Sequence, residues 1–600
     1  MENHYIEDHA LSTELATRSD GDSKIAMPRK VERAVIYGVD ERPPIFQAIF
    51  LGVQHFLTFC GTGVALPLIL VGPLCMEQDQ LAVSQLIATA FFVEGIVTFL
   101  QVTFGLRLPV VQGGSSAYLG PAIALMNSYG ECPVSLTVNS TASERANYTE
   151  VWQVRMREVQ GAIMVAPLLQ VVVGFTGIMG FLLKFIGPIT IAPCVALVGF
   201  SLLGPAASRA GLHWGISVLT IFSIFMFSQV LKNVEVPVLG WRRGKCSSTR
   251  RVPFFRMFPI ILGVLLAWLI AYIFTITDVF PSAESQTYGY RARTDLNPEV
   301  TNDAQWFRIP YPGQWGVPVV TLAGVFVMFS AVVASVLDSL GDYYAIARLA
   351  GAPPPPPHAV NRGIGFEGIG CVLAGAWGTA NGTTSFSTNA GLVGITKVGS
   401  IFVIQICAVI MIIVGMLGKF TAFISTIPLP IVGGVLCVLL GLLVAVGLSN
   451  LQYVDLNSSR NLLIIGFSLF MGMLLPLWVD TGENDKLLET GITRLDRVIK
   501  VVLTTEVFIG GVFAFTLDNL LPGSREERGI TAFTKDYNEQ TTDTEGFSSI
   551  HIYDFPFGMS FIRKWKWTRY IPVCPTFLYT GLVDGNDDVP VNRVDLDTRF

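Results

Sequence analysis

The sequence is long enough for several soluble domains, but its composition argues against that organisation. Its 600 residues are 51% hydrophobic and only 14% charged, with a mean hydropathy of +0.54, whereas soluble domains carry roughly 25% charged residues. The net charge is −5 and the basic clusters lie beside apolar runs, so we do not expect nucleic acid as a partner.

Residues 1–43 are polar and precede the first apolar run. They lack the order of basic, apolar and small residues that marks a cleavable signal peptide. We therefore predict a cytoplasmic, disordered N-terminal segment, followed by a first span that begins near Ile45 and acts as an uncleaved anchor.

Apolar runs then recur along the chain, and a helix needs roughly 20 apolar residues to cross a bilayer. They predict an all-α polytopic membrane protein with about fourteen spans, set in residues 44–278 and 317–520. Residues 279–316 between them are predicted to form an extracellular loop, and residues 521–600 a cytoplasmic tail. The predicted spans are Ile45–Leu70, Val83–Gly105, Leu108–Met126, Gly161–Met179, Gly187–Gly204, Trp214–Leu231, Met257–Thr277, Val317–Leu337, Gly363–Trp377, Gly382–Lys397, Ile401–Ile424, Ile427–Leu448, Asn461–Trp478 and Val498–Leu520.

Two independent signals fix the predicted orientation. The loop between Leu231 and Met257 is rich in Lys and Arg, which the positive-inside rule places in the cytoplasm. Counting back along the spans puts residues 127–157 outside, where the sequons at Asn139 and Asn147 can be glycosylated. We expect a plasma-membrane glycoprotein with both termini inside the cell.

The cysteines predict no metal site, because none of the nine shows metal-ligand spacing. Cys75 and Cys132 both face the oxidising side in this topology. A disulfide between them and two free thiols are both compatible with the sequence.

Two cytoplasmic segments leave alternatives open. The run Pro353–Pro357 is either a rigid spacer between the halves or a docking site for a partner. The C-terminal tail is either solvated and partly disordered, or its basic and aromatic cluster lies on the inner leaflet. That cluster comprises Arg563, Lys564, Trp565, Lys566, Trp567 and Arg569.

The third and tenth spans are the weakest, being rich in Gly, Ser and Thr. Short, interrupted segments at matching positions in two halves point to a transporter binding site. Extended backbone is tolerated at membrane depth only where it is buried in protein or lines a wet cavity, and half-helix N-termini there present amides to a ligand. Each hydroxyl taken singly can equally serve helix packing.

Ionisable residues within spans are the sharper signal, because a buried charge is costly and is retained for function. Asp338 and Asp342 are four residues apart and share a helix face, while Glu367 and the Gln54–His55 pair lie in other apolar runs. Asp342 can alternatively cap a helix end, and His55 can be a satisfied core histidine.

A nucleotide site is excluded. The string from Gly363 to Gly368 matches the GxGxxG dinucleotide pattern, but it follows prolines rather than a strand and lies within a span. We interpret it as a close-packing glycine motif. With no nucleophile–base pair or Walker sequence, the chain is not expected to be an enzyme or an ATP-driven pump.

Several strings resemble the nucleobase–ascorbate transporter family, especially its animal branch of sodium-coupled carriers. They lie between about Ile45 and Gly529, and the resemblance therefore covers most of the chain. The strings are Gln54-His55, Asp338-Ser339-Leu340-Gly341-Asp342, Asn389-Ala390-Gly391, Thr396-Lys397, Asn457-Ser458-Ser459-Arg460-Asn461 and Pro522-Gly523-Ser524.

The resemblance implies two inverted seven-helix repeats, divided into core and gate domains, in a protein that is usually dimeric. The substrate would sit between spans three, eight and ten, and the core would move as an elevator. Sodium would be co-transported, with no cofactor. The implied substrate-binding residues are Ser115, Ser116, Tyr118, Asp338, Thr388 and Asn389, and the implied ion-coupling or site-ordering residues are Gln54, His55, Asp342 and Glu367.

The sequence departs from the family pattern at three of these positions. Asp338 stands where the family usually has Glu, and Ser116, with Tyr118 nearby, stands where an aromatic commonly stacks on substrate. Thr388 replaces the Gln or Glu of microbial nucleobase members and the Pro of ascorbate members. The sequence therefore predicts an altered pocket.

We expect a sodium-coupled symporter of a small, planar, polar solute, with nucleobases ahead of L-ascorbate. Proton coupling through Asp338 or Glu367 is an alternative to sodium. An anion exchanger or channel, or a transport-inactive scaffold on the same fold, are further alternatives.

Overall fold

The computed structural model describes residues 35–132, 142–179, 185, 187–242, 245–252, 254–282, 287–296, 299–353, 355–481, 490–529 and 550–577. Helices dominate them. The first half contains α1 Ile45–Leu70, α2 Gln80–Thr103, β1 Gln112–Gly114, α3 Leu119–Asn127, α4 Ala142–Val165, α5 Leu168–Thr176, α6 Pro188–Phe200, α7 Leu203–Ala210, α8 Trp214–Phe225, β2 Val236–Arg242, β3 Lys245–Val252, α9 Phe254–Met257 and α10 Pro259–Ile276. The second half contains α11 Glu299–Asp303, α12 Leu322–Leu349, α13 Pro357–Trp377, β4 Thr383–Ser385, α14 Ser387–Thr396, α15 Ile401–Met416, α16 Gly418–Ser425, α17 Leu429–Ser449, α18 Ser459–Asp480, α19 Thr493–Leu503, α20 Glu506–Leu520 and α21 Met559–Ile562. Short 3-10 turns cover Ser116–Tyr118, Tyr290–Ala292, Asn450–Tyr453, Ile550–Tyr553 and Lys566–Tyr570, and a π-helical turn covers Met226–Val230.

The prediction of a polytopic, helical membrane protein is confirmed. Within the described residues, eight helices are long and apolar enough to cross a membrane. Large apolar side chains on the outside of the protein, such as Leu269 of α10 and Leu477 of α18, are 55% and 67% exposed. Such a surface suits contact with lipid rather than water.

Several predicted spans are interrupted by breaks in the helix. Among the described residues, fewer helices than the predicted fourteen are therefore long enough to cross a membrane unbroken. The run Ile401–Ile424 breaks at Leu417, and Val498–Leu520 breaks at Thr504–Thr505. Gly161–Met179 breaks after Val165, close to Pro167, because a proline cannot donate the backbone hydrogen bond that a helix interior needs. Hydrophobicity alone does not locate such breaks.

The helices pack in two groups, and each group takes members from both halves of the chain. The strand-bearing group contains α1–α5, α12–α16 and the strands β1 and β4, and the strand-free group contains α6–α8, α10, α17, α18 and α20. Small apolar residues lie where the groups meet, with Ala117 and Ala334 packed against Leu197, Val198 and Val507.

The two weak spans are in direct contact. Strands β1 and β4 pair antiparallel, with Gln112 opposite Ser385 and Gly114 opposite Thr383. Each strand is three residues long and is followed by a short helical segment. The prediction that these segments are broken helices at matching positions is therefore confirmed by their geometry.

The N-terminal prediction is wrong for residues 35–43, while residues 1–34 lie outside the described part of the chain. The backbone N–H of Ile36 donates to the Lys397 carbonyl at 2.7 Å, and Gly399 and Ile401 donate to Tyr37 and Val39. Val39 is 1% exposed. This apolar anchor and the backbone bonds hold the segment against the connection between α14 and α15.

The C-terminal tail also differs from its predicted solvated state. Residues 550–577 pack against α13, where the buried Arg362 donates to the carbonyls of Tyr553 at 2.8 Å and Gly105 at 2.6 Å. Its guanidinium lies 4.6 Å from the Phe555 ring centroid. Tyr553 donates to the Pro353 carbonyl at 2.5 Å, and burial raises the pKa of that hydroxyl, which therefore stays protonated. The proline run thus serves as a contact for the tail.

The predicted external features lie together at one end of the molecule. A disulfide joins Cys75 to Cys132. Asn147 is exposed near the start of α4 rather than in a loop, and Asn139 lies outside the described residues. The GxGxxG string is confirmed as a packing motif, because Cβ atoms on Gly363 and Gly365 would come within 2.8 Å of the Tyr343 and Phe175 rings.

The docking of the tail gives a stability prediction. Tyr553→Ala should destabilise the protein by about 3–5 kcal/mol, because it empties a fully buried site and removes the Pro353 hydrogen bond. The measurement is the apparent melting temperature of the full-length protein in detergent. Tyr570→Ala, at a position that is 84% exposed, is the matched control, and equal melting temperatures for the two variants would contradict this account.

Candidate functional site

The strand pair β1–β4 forms the centre of the candidate site, and its outward-facing backbone groups are satisfied by the preceding helices. Thr98 of α2 accepts from the Gln112 N–H at 2.9 Å and donates to the Gln112 carbonyl at 3.2 Å. Cys371 of α13 does the same for Thr383, at 3.3 and 3.1 Å. The outward-facing backbone groups of Gln112 and Thr383 are therefore paired within the protein, as the membrane interior requires.

Glu367 connects α13 to both strands. It is fully buried, and its Oε1 accepts from Gln112 Nε2 at 3.0 Å and from the Ser385 hydroxyl at 2.8 Å. These two hydrogen bonds to the carboxyl group fix the strand pair relative to α13. Glu367 therefore holds both strands to α13.

Asp338 lies on α12, which packs against β4. Its neighbour Ser339 is hydrogen-bonded to Thr384 of β4 at 2.8 Å, which fixes this turn of α12 against the strand. Asp338 is half-buried, and its carboxylate makes no hydrogen bond or ion pair with another residue that the structure describes. An acidic group held here without a protein partner is available to a ligand.

His55 and Asn389 join α1 to the N-terminal turn of α14. Asn389 Nδ2 donates to the His55 carbonyl at 3.0 Å and lies 3.2 Å from His55 Nδ1. Both side chains are buried, and Asn389 Oδ1 has no described hydrogen-bond partner. His55 therefore orders Asn389, whose oxygen is left free to accept a further hydrogen bond.

The residues of the third span separate into two roles. Ser116 is half-buried at the start of the 3-10 turn, and the buried Ser115 Oγ has no described partner. Tyr118 is completely buried, and its hydroxyl donates to Cys371 Sγ at 3.6 Å. Its ring lies 2.6 Å from the position of a Cβ on Gly382. This position makes Tyr118 a support of the strand pair, in contrast to the substrate contact suggested by the resemblance.

The other predicted residues surround this centre. Asp342 is 8% exposed and lies one turn beyond Asp338 on α12, and Gln54 is buried beside His55. Thr388 is in the first turn of α14, but its side chain lies outside the described part of the structure.

Sequence reasoning missed Glu94 of α2. It is 4% exposed and lies beside β1, where a Cβ atom on Gly114 would be 3.3 Å from its Oε1. The signal was present, because Glu94 is an acidic residue within the apolar run Val83–Gly105, and such residues are functional candidates by default.

A cavity of about 600 Å³ lies beyond the 3-10 turn, between the two helix groups. Gly120 and Ile123 of α3 line one side, and Phe200 at the end of α6 and Arg209 of α7 line the other. It lies on the side of the protein that carries the Cys75–Cys132 disulfide, since Gly72 and Pro73 also line it.

The Glu367 contacts predict a difference between two substitutions. Glu367→Ala leaves Gln112 Nε2 and the Ser385 hydroxyl without an acceptor, at about 1–3 kcal/mol for each buried group. Glu367→Gln keeps an oxygen acceptor and should be destabilised less. Apparent melting temperatures in detergent test the order, and an Ala variant as stable as the Gln variant would contradict the proposed contacts.

Comparison with known proteins identifies the family of the chain. Residues 46–481 match the sequence profile of a family described as the Permease family. Solute carrier family 23 member 1 from Rattus norvegicus is 47% identical over 564 residues, which cover 94% of this chain and 92% of the relative. Solute carrier family 23 member 2 from Homo sapiens is 49% identical over 547 residues, covering 91% and 83% of the two chains. Nucleobase-ascorbate transporter 1 from Arabidopsis thaliana is 35% identical over 504 residues, covering 83% and 92%.

These relatives and the family profile span the helices and strands that build the site. The predicted resemblance is confirmed, and a transporter rather than an enzyme is indicated. The chain belongs to the nucleobase–ascorbate transporter family and is a multi-pass membrane transporter of a small-molecule substrate.

Proposed function

We propose that the protein is a sodium-coupled symporter that imports a small, planar, polar solute, with nucleobases as the leading substrate class. The observation that carries the proposal is the position of Asp338. It is an acidic residue without a described protein partner, held beside the strand pair and the starts of two short helical segments. A half-buried acid of this kind is satisfied when a solute donates N–H or O–H groups to it.

The surrounding groups suit the remaining edge of such a solute. The backbone amides of Ser116 and Thr388 open the 3-10 turn and α14, where helix N-termini favour carbonyl oxygens. Ser115 Oγ and Asn389 Oδ1 have no described partner and offer further hydrogen bonds. Donors and acceptors in fixed positions give specificity, because an analogue that lacks the matching group leaves buried polar atoms unpaired.

The charge of the site favours a neutral solute. Neither Asp338 nor Glu367 forms an ion pair with a residue that the structure describes, so both are uncompensated when ionised. An anion would need co-transported cations to offset these charges, whereas a neutral nucleobase would not. The same argument disfavours an anion exchanger or channel.

L-ascorbate is the second candidate. The Arabidopsis thaliana relative is named a nucleobase-ascorbate transporter, and the closely similar members of solute carrier family 23 cover almost the whole chain. Sodium ions entering with ascorbate would supply the compensating positive charge that its anion requires.

The packing of the two helix groups supports an elevator movement of the strand-bearing group. At the contact between the groups, the strand-bearing group contributes the small side chains Ala117 and Ala334, and small residues let helices approach closely. We further propose a homodimer in the plasma membrane, glycosylated at Asn147 or Asn139, with both termini in the cytoplasm.

Replacing the acid tests the site. Asp338→Asn should reduce uptake at least about tenfold, because hydrogen bonds to a charged acceptor are worth about 1.5–3 kcal/mol. Radiolabelled uptake and cell-surface labelling are measured together. Asp278→Asn, at an aspartate that is 84% exposed, is the control, and unchanged transport by Asp338→Asn at equal surface expression would remove Asp338 from the site.

The solute and the ion are identified by a panel. Cells expressing the protein are offered radiolabelled uracil, hypoxanthine, urate and ascorbate, with sodium present or replaced by choline. Sodium-dependent uptake of a nucleobase is expected. Sodium-independent uptake would contradict the symport proposal, and no uptake of any member would favour a transport-inactive scaffold.

A substitution at Thr388, the third position at which the sequence departs from the family pattern, separates the two substrate classes. Thr388→Pro restores the residue of ascorbate members and removes a backbone N–H that a solute carbonyl could use. Uptake of nucleobase should fall relative to ascorbate, as measured by competition. An unchanged ratio would exclude Thr388 as a determinant of the cargo.

A further inference from the structure

The docked C-terminal segment, residues 550–577, carries a surface that the proposed transport function does not use. Ile552, Tyr553 and Cys574 are buried against the protein, whereas most side chains between Phe557 and Tyr570 are exposed. These exposed side chains are mainly aromatic and basic, and together they form what we call the tail surface. It comprises Phe557, Phe561, Lys564, Trp565, Lys566, Trp567, Arg569 and Tyr570.

The tail surface is held in a folded turn. The buried Thr568 hydroxyl reaches the carbonyls of Trp565 and Ile562, at 2.6 and 3.1 Å. The Thr576 hydroxyl donates to Thr568 Oγ1 at 2.9 Å. The ring centroids of Phe561 and Trp565 are 5.6 Å apart. The aromatic rings are therefore presented to the outside by a defined structure, and water is an unfavourable neighbour for so many of them.

The tail surface lies at the end of the molecule opposite the disulfide. Helix α2 begins at Gln80, close to Cys75, and ends at Thr103, about 36 Å away at 1.5 Å per residue. The Phe557 ring centroid lies 5.8 Å from that of Phe104, the residue that follows α2. A bilayer core is roughly 30 Å thick, so the tail surface lies at the level of the membrane boundary on this side.

The segment also adjoins a helix whose outer face suits lipid. A Cβ atom on Gly177, which ends α5, would lie 2.6 Å from Pro572 Cβ. On α5 itself, Leu168 and Val172 are 48% and 52% exposed. Such apolar surface is typical of contact with lipid chains. The tail surface is therefore placed beside the lipid-facing side of the protein.

The charge of the tail surface is positive, although the whole chain carries −5. Residues 550–577 contain four basic residues and one acidic residue, a net charge of +3 with His551 neutral. The acidic residue, Asp554, is paired with Arg563 at 2.5 Å. Lys564, Lys566 and Arg569 form no ion pair with a residue that the structure describes. Three cationic side chains are thus available to an anionic surface.

We propose that the tail surface binds the lipid leaflet beside it, with its basic side chains at phosphatidylserine head groups and its rings among the head groups. Trp and Tyr are enriched at this level of a membrane because their rings are apolar with a polar edge. Each basic residue near an anionic leaflet strengthens the attraction about fivefold. That this leaflet is the cytoplasmic one rests on the orientation proposed above.

Lipid binding can be measured at the tail surface itself. The full-length protein is reconstituted in nanodiscs of phosphatidylcholine alone or of phosphatidylcholine mixed with phosphatidylserine, and amide hydrogen exchange is followed in residues 559–570. Phosphatidylserine should slow exchange at least about fivefold, the factor that one basic residue contributes, and raised salt should reverse the slowing because it screens exposed charges.

A charge variant and a matched control locate the effect. The charge variant carries Lys564→Gln, Lys566→Gln and Arg569→Gln, and it should lose the response to phosphatidylserine. The control carries Lys232→Gln, Arg348→Gln and Arg525→Gln, at exposed basic residues elsewhere, and it should keep the response. Slow exchange in the buried turn Ile550–Tyr553 shows that the segment remains docked in each variant.

Each other outcome overturns the proposal. Equal exchange in the two kinds of nanodisc excludes recognition of anionic lipid, and a response that persists in the charge variant excludes the basic side chains. Exchange that is slow in both nanodiscs and becomes fast in a variant with Asp584→Asn, Asp587→Asn and Asp588→Asn assigns the tail surface to the acidic end of the chain. Both leaflets of a nanodisc have the same composition and no solute is present, so the result does not depend on the proposed orientation, cargo or coupling ion.

Discussion

The structure depends on one constraint, which is that extended backbone inside a membrane must have every N–H and C=O group paired within the protein. Strands β1 and β4 pair with each other, and Thr98 and Cys371 pair the outward-facing groups of Gln112 and Thr383. Without these bonds, the two short segments could not leave the helical conformation at this depth. The same departure from helix exposes backbone amides and hydroxyl groups to a polar solute.

The buried polar residues of the strand-bearing group follow from that constraint. Glu367 ties Gln112 of β1 and Ser385 of β4 to α13, and the Ser339–Thr384 bond ties β4 to α12. Side chains that brace the strand pair in this way hold the binding groups in place before a ligand arrives, which lowers the cost of binding. Asp338, whose carboxylate has no described protein partner, is then the group that a solute can engage.

The chain also uses its ends to stabilise the strand-bearing group. Residues 35–43 lie along the connection between α14 and α15, and residues 550–577 cover the start of α13 through Arg362 and Tyr553. Both segments contact only helices or connections of that group in the bonds described here. If the strand-bearing group moves as a unit, these segments would move with it.

The sequence by itself determined the membrane class, the family and the location of the two broken segments, because these depend on local hydrophobicity, glycine content and contiguous strings. It also indicated Asp338 and Glu367, since a charge in an apolar run is visible without coordinates. Only the tertiary structure decided that Tyr118 supports the strands while Ser116 is half-buried beside them, because a side chain's direction depends on the turn that precedes α3. The pairing of β1 with β4 is likewise a tertiary property. Gln112 and Ser385 are 273 positions apart in sequence and become partners only when the two strands pair, which cannot be read from local pattern.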